Sequence, residues 1–191
     1  KLTAYHEAGH AIAGIHSPKC DPLHKVTIIP RGQAGGVTWF LPENDKEYRR
    51  MDELKDEMVM ALGGRVAEEI IFGKDKVSSG AQSDIKVLTQ SARRMVTQWG
   101  MSEKLGTLLY DNNSEEVFLG HSVTQSKNVS DSTADIIDKE VKLIIDEATI
   151  KCKKIINDNI KELHTIAKGL MEYETLNLSE VKDLIKGIPP S

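Results

Sequence analysis

The chain has 191 residues, 39% hydrophobic and 5% aromatic, with a formal net charge of −4 at pH 7. That length suits one large domain or two small ones with an aliphatic, helix-rich core. The mildly acidic balance gives no reason to expect a nucleic-acid partner, and no apolar run approaches the roughly 18 residues of a membrane span. Cys20 and Cys152 are the two cysteines. They form no Cys-x-x-Cys pattern, which argues against a disulfide scaffold and fits free thiols in a reducing compartment. No signal-peptide pattern opens the chain.

The first predicted element carries the chemistry. His6-Glu7-Ala8-Gly9-His10 is an H-E-x-x-H motif. Two histidines four apart share one face of a helix and can bind one zinc ion, and the glutamate between them can take a proton from a metal-activated water. Ala4, Ala8, Gly9 and Ala11 are small and allow close packing of neighbouring elements, and the helix should end near His16-Ser17-Pro18. A helix of this kind so near the first residue suggests a piece of a longer protein.

Two β-branched and aromatic runs follow, 24–29 and 37–41. Pro30 and the stretch from Gly32 to Gly36 separate them, so they read as a short hairpin. A second helix is predicted over about Glu47–Phe72, with Met51, Leu54, Met58, Leu62 and Val66 at helical spacing and Gly73 as its stop. Gly63-Gly64 in its interior costs helix stability, and close packing against another backbone would explain the pair. A third helix is predicted to open with a Ser-x-x-Gln capping box at Ser79-Gly80-Ala81-Gln82. It carries Asp84 in its second turn and Ile85, Leu88, Ala92, Met95 and Trp99 on its apolar face, and it stops at Gly100. The apolar runs 105–110 and 117–119 are candidate strands, and 111–114 and 122–132 read as loops. From about Ser132 the pattern is helical, with Ile137, Val141, Ile144, Ala148, Cys152 and Ile155 apolar. A break is expected at 157–159, then a helix with Ile160, Leu163, Ala167 and Leu170, and a last short helix capped by Ser179.

A catalytic zinc takes three protein ligands and leaves a position for water. His16 has the spacing of a third histidine, but the glycine that usually precedes it is missing: position 13 is Ala. A continuous helix would turn His16 about 240° away from His10. His16 could ligate only if the helix broke near Gly14; Glu68, Glu69 and Asp84 are the other candidates, and spacing alone does not choose among those three.

The chain resembles the peptidase domain of the FtsH family, the membrane-anchored AAA+ zinc proteases. The stretches 5–11 (YHEAGHA), 26–32 (VTIIPRG), 63–70 (GGRVAEEI), 79–85 (SGAQSDI) and 95–102 (MVTQWGMS) carry the similarity, which continues through 117–120 and 173–175. It covers nearly the whole chain. One departure is Gly35, where the family often has a bulkier apolar residue, and it bears on the course of the hairpin. The resemblance implies that His6, His10 and Asp84 bind Zn2+, that Glu7 is the catalytic base, and that Glu68 orients a ligating histidine by accepting its other N–H. The implied fold is mainly α: a zincin-like metal helix, a small β-hairpin or sheet and a C-terminal helical bundle. Residues 1–191 would form one zinc peptidase domain, with a metal-bearing part over about 1–120 and a helical part over about 130–188.

The expected activity is endopeptidase cleavage of unfolded or membrane-extracted polypeptides. No Walker A pattern occurs here, so the family's ATPase segment, with its ATP and Mg2+, and its transmembrane anchor would precede Lys1. A homo-hexamer is implied. The anchor would hold the parent at a membrane, with this domain soluble on the cytoplasmic or organelle-lumen side. Proteases commonly receive peptides as an added strand, and Val37, Thr38, Trp39 and Phe40 form the candidate edge. The competing readings are a non-catalytic zinc-containing oligomerisation module and a zinc hydrolase of a non-peptide amide.

Overall fold

A computed structural model describes residues 1–42, 47–110 and 129–190. Among them are six α-helices and one three-stranded antiparallel sheet, so the chain is mainly α as expected. They form two compact units, Lys1–Leu88 with Asp146–Ser191, and Thr89–Ile145.

Helix α1 (Leu2–Ile15) is buried without interruption from Ala4 to Gly14. A helix buried on all sides cannot be amphipathic, and small residues let its neighbours approach. Its principal partner is α2 (Met51–Phe72). At the crossing, a Cβ on Gly9 would lie 2.2 Å from Gly63 O, and a Cβ on Gly63 would lie 2.4 Å from Gly9 O. The two backbones therefore touch, which is why α2 tolerates glycine in its interior. Four of the five predicted apolar positions of α2, Leu54, Met58, Leu62 and Val66, are buried. Met51 is exposed because the helix starts there and not at Glu47. Arg50 is extended, and Asp52 Oδ1 accepts from the Glu53 N–H at 2.8 Å, so the first turn is set by an acidic pair at the positive end of the helix.

Helix α5 (Ile160–Tyr173) is tied to α1 and its C-cap residue by two side-chain hydrogen bonds, Tyr5 Oη to His164 Nδ1 and His16 Nε2 to Glu162 Oε2, each 2.7 Å. The hairpin forms as β1 (Leu23–Thr27) against β2 (Val37–Phe40). A third strand, β3 (Thr175–Asn177), pairs with the other side of β1, giving the order β2-β1-β3. The sequence gives little warning of β3: three residues are too few for a period-2 pattern. Their placement also moves the last cap. Asn177, not Ser179, caps α6 (Leu178–Ile185), in a capping box with Glu180.

Helix α3 (Gln82–Thr97) follows a 3-10 turn over Ser79–Ala81. The predicted Ser79 box is absent. Ser78 instead accepts from the Gly80 N–H at 3.1 Å, and Asp84 falls in the first turn of α3, not the second. Ile85 and Trp99 are about half exposed, while Leu88, Ala92 and Met95 are buried. Residues 105–110 form no strand: Leu108 and Leu109 are exposed, and Tyr110 turns back to donate to Leu105 O. Helix α4 (Asp131–Asp158) ends at the expected break, with Ile156 rather than Ile155 fully buried. The readings made for 111–114, 117–119 and most of 122–132 fall outside the described residues.

Candidate metal centre

The i, i+4 spacing places His6 and His10 one above the other on α1. Their Nε2 atoms are 3.1 Å apart. Asp84 Oδ2, carried from the first turn of α3, lies 3.3 Å from His6 Nε2 and 3.2 Å from His10 Nε2. Among the described residues this is the group of three whose ligand atoms converge closely enough to hold a metal ion.

The donor chemistry argues for a cation at the centre of that triangle. His6 Nδ1 donates to Glu68 Oε2 at 2.6 Å, and His10 Nδ1 donates to Met60 O at 2.9 Å. With both Nδ1 atoms protonated, both Nε2 atoms carry lone pairs, and these lone pairs face one another and a carboxylate oxygen. Three acceptors at such distances repel unless a proton or a metal lies among them. A tetrahedral zinc with bonds near 2.0–2.1 Å has ligand–ligand separations of about 3.3 Å, close to the three observed edges. The site is also shaped for two imidazoles. A Cβ on Gly64 would lie 2.5 Å from His6 Nε2 and 2.7 Å from His10 Nε2, so α2 clears a cradle there.

Glu68 is fully buried. Burial alone would push its carboxyl up, but Ser78 and His6 hold it below the usual carboxylate range. Its Oε1 accepts from Ser78 Oγ at 2.7 Å and from the Ser78 N–H at 2.9 Å. Burial pulls the His6 imidazole down, yet hydrogen bonds to Asp84 and Glu68 and the nearby charge of Glu7 outweigh it and push His6 up to about 9. Asp84, despite burial, is held far below its ordinary value by His10 and His6. A proton is thus strongly retained where a cation would sit.

Glu7 is buried, and its Oε2 accepts from Thr38 Oγ1 at 2.5 Å. Thr38 belongs to β2, which stands at the end of the order β2-β1-β3, so among the described residues Val37–Phe40 is an edge of the sheet. Phe40 covers Gly14 of α1. Trp39 lies under two cations, with Lys25 Nζ 4.7 Å and Arg31 Cζ 5.1 Å from its ring centre. The hairpin forms despite the departure at Gly35, where a Cβ would meet Thr3 Oγ1, at 3.9 Å, and nothing nearer among the described residues.

The other candidate ligands point elsewhere. His16 is paired with Glu162, and Glu69 Oε1 faces Lys153 and Lys74. Cys20 lies outside the cluster, and burial, with Asp21 and Asp56 nearby, pushes its thiol up to about 11. Three contacts were not legible from the sequence: the Met60 carbonyl on His10, the Ser78 hydroxyl on Glu68, and the Thr38 hydroxyl on Glu7. The first and third cross 50 and 31 residues of chain, and the second spans 10.

Residues 1–184 match the family described as Peptidase family M41. The chain is 52% identical over 190 residues to a protein of Caulobacter vibrioides named ATP-dependent zinc metalloprotease FtsH, a match spanning 100% of this chain and 30% of that protein. It is 53% identical over 184 residues to a protein of the same name from Buchnera aphidicola subsp. Baizongia pistaciae, covering 96% of this chain and 30% of the other. With the Thermoanaerobacter protein named ATP-dependent zinc metalloprotease FtsH 1, identity is 48% over 187 residues, or 98% of this chain and 30% of that one. The chain therefore spans about a third of the length of these relatives.

Proposed function

The chain belongs to Peptidase family M41, and from that premise we propose that it is the zinc endopeptidase part of an ATP-dependent protease. The observation that carries this reading is the convergence of His6 Nε2, His10 Nε2 and Asp84 Oδ2 within 3.3 Å of one another, beside the buried carboxylate of Glu7. His6, His10 and Asp84 would hold the metal, and residues 1–191 would act as one peptidase domain. Zinc, when bound, supplies Lewis acidity and brings the acidity of water to near neutral pH.

The protein's own groups do the rest. Glu68 and the Met60 carbonyl fix the two imidazoles by their Nδ1–H groups and keep each Nε2 free to ligate. Glu7 accepts the proton of the attacking water and delivers it to the leaving amine nitrogen. The edge of β2 receives the peptide as an added strand, which aligns an extended backbone with the site. A non-catalytic zinc module would have no use for a buried glutamate at position 7.

ATP dependence, named for the relatives, would come from an AAA+ segment outside these 191 residues. With it would come ATP and Mg2+, a homo-hexameric ring, and a membrane anchor that leaves this domain on the cytoplasmic or organelle-lumen side. No helix among the described residues is long and apolar enough to cross a membrane. The substrates would be unfolded or membrane-extracted polypeptides.

The test is cleavage of an unfolded polypeptide before chelation, after chelation and after zinc is restored, with Glu7→Gln alongside. Activity should vanish on chelation and return with zinc, and Glu7→Gln should lose it. Cleavage that survives both chelation and Glu7→Gln overturns the reading.

A further inference from the structure

Glu7 is held from the sheet. Thr38 Oγ1 donates to Glu7 Oε2 at 2.5 Å and lies 3.3 Å from the Glu7 main-chain oxygen. Gly36, two residues earlier, backs the same side chain: a Cβ there would lie 3.0 Å from Glu7 Cγ and 2.8 Å from Thr27 O. The stem of Glu7 is therefore crowded on one side while one carboxylate oxygen is tied. Its Oε1 has no hydrogen-bond partner among the described residues, which leaves that atom to take up a proton. A glutamate side chain carries roughly 1.5–2 kcal/mol of rotamer freedom, and a general base works only when its oxygen is within hydrogen-bond reach of the proton it removes.

We infer that Thr38 is a positioning residue for the general base: its hydroxyl fixes Glu7 Oε2 so that Oε1 faces the reacting water. The inference rests on the peptidase reading above. It also adds to it. Thr38 is part of the edge strand β2, so the strand that would receive the peptide is the one that sets the base. Backbone pairing with the substrate and orientation of Glu7 then share one rigid element. The hydroxyl does not touch His6, His10 or Asp84, so its removal should leave zinc binding alone. Valine has the shape of threonine and suits a strand, so the substitution keeps the packing while it removes the hydroxyl donor from Glu7 Oε2.

The experiment measures kcat, KM, zinc content and Tm for Thr38→Val, Thr38→Ser, Glu7→Gln and wild type, using the full natural chain and a short unstructured peptide. Thr38→Val should lower kcat by roughly 10- to 100-fold, part of what a general base contributes. KM should stay within about twofold and zinc content should be unchanged. Thr38→Ser keeps the hydroxyl and should restore most of kcat. In a Glu7→Gln background, adding Thr38→Val should leave peptide affinity unchanged. If Tm shows that valine disturbs the strand, Thr38→Ala carries the same comparison. An unchanged kcat, a rise in KM alone, loss of zinc, or a serine variant as impaired as valine overturns the inference. A fully active Thr38→Val beside an inactive Glu7→Gln removes only the role of Thr38, whereas an active Glu7→Gln removes the mechanism itself.

Discussion

Gly64 lies directly against the His6 imidazole: a Cβ at position 64 would sit 2.5 Å from both Cε1 and Nε2 of that ring. Alanine there should displace the imidazoles even though alanine favours the helix by about 1 kcal/mol. Gly64→Ala is expected to weaken zinc binding by on the order of 10- to 100-fold, as loss of ligand orientation does elsewhere, with helix content kept. Gly63→Ala differs, because its Cβ would meet the Gly9 main chain. It should cost about 1–3 kcal/mol of stability, the usual range for overpacking. Chelator competition and thermal unfolding on both variants separate the two effects. Equal zinc affinity in Gly64→Ala and wild type would show that the cradle is not needed.

Glu68 accepts from three donors, His6 Nδ1 and the N–H and hydroxyl of Ser78, with no exposed surface of its own. In Glu68→Gln an amide N–H₂ must face either His6 or Ser78, donor against donor. Leaving a buried donor unsatisfied costs about 1–3 kcal/mol. Zinc affinity should fall roughly 10- to 100-fold through the freed imidazole. Titration of the variant with zinc against a competing chelator checks this, and wild-type affinity would mean that His6 needs no orienting partner.

The zinc-stripped protein should have a distinctive pH profile. His6 in the fold is pushed up to about 9 from 6.5. Its contribution to stability is therefore complete below about pH 6.5 and lost as pH rises through about 9. Asp84 is shifted the other way, below 3.8, so its contribution is present above that value and lost on acidification. Stripped protein should be most stable between about pH 4 and 6.5. Zinc must displace the His6 proton, so binding near pH 7 should release about one proton per site. Unfolding temperature against pH, and calorimetry in buffers of different ionisation enthalpy, measure both. A stripped protein that gains stability from pH 7 to 9 contradicts this assignment.

Pairing of the substrate with β2 predicts a dependence on backbone N–H groups. Peptides N-methylated at alternate residues on the strand-facing side should show a KM raised by about tenfold or more, with zinc content unaffected. Methylation of the intervening residues should do less. Indifference to methylation at every position would exclude Val37–Phe40 as the docking edge.

Much of the fold was legible because its signals are local. Helical spacing in α2 and the β-branched runs of the hairpin depend on neighbours a few residues away. The site was legible only in part, because its second half depends on contacts that span the chain. His6 and His10 announce themselves, but nothing in spacing ranks Asp84 above Glu69. Only the fold shows that Glu69 faces Lys153 while Asp84 reaches both imidazoles. The resemblance to a family supplied Asp84 where spacing could not. The Gly63-Gly64 pair signalled close packing, yet the two glycines serve different neighbours: Gly63 a backbone, Gly64 two rings. β3 was missed because three residues carry no periodicity, and Ser78 was missed as a cap because Ser79 fits the local pattern equally well.

Zinc stoichiometry and affinity, measured together with peptide cleavage in wild type, Asp84→Asn and Glu7→Gln, bear most directly on the division of labour at the site. Asp84→Asn should bind zinc at least about tenfold more weakly, because a neutral amide replaces the carboxylate that closes the triangle. Glu7→Gln should hold zinc as wild type does and cleave nothing. Wild-type zinc affinity in Asp84→Asn, or cleavage by Glu7→Gln, would contradict a site in which His6, His10 and Asp84 bind the metal and Glu7 moves the proton.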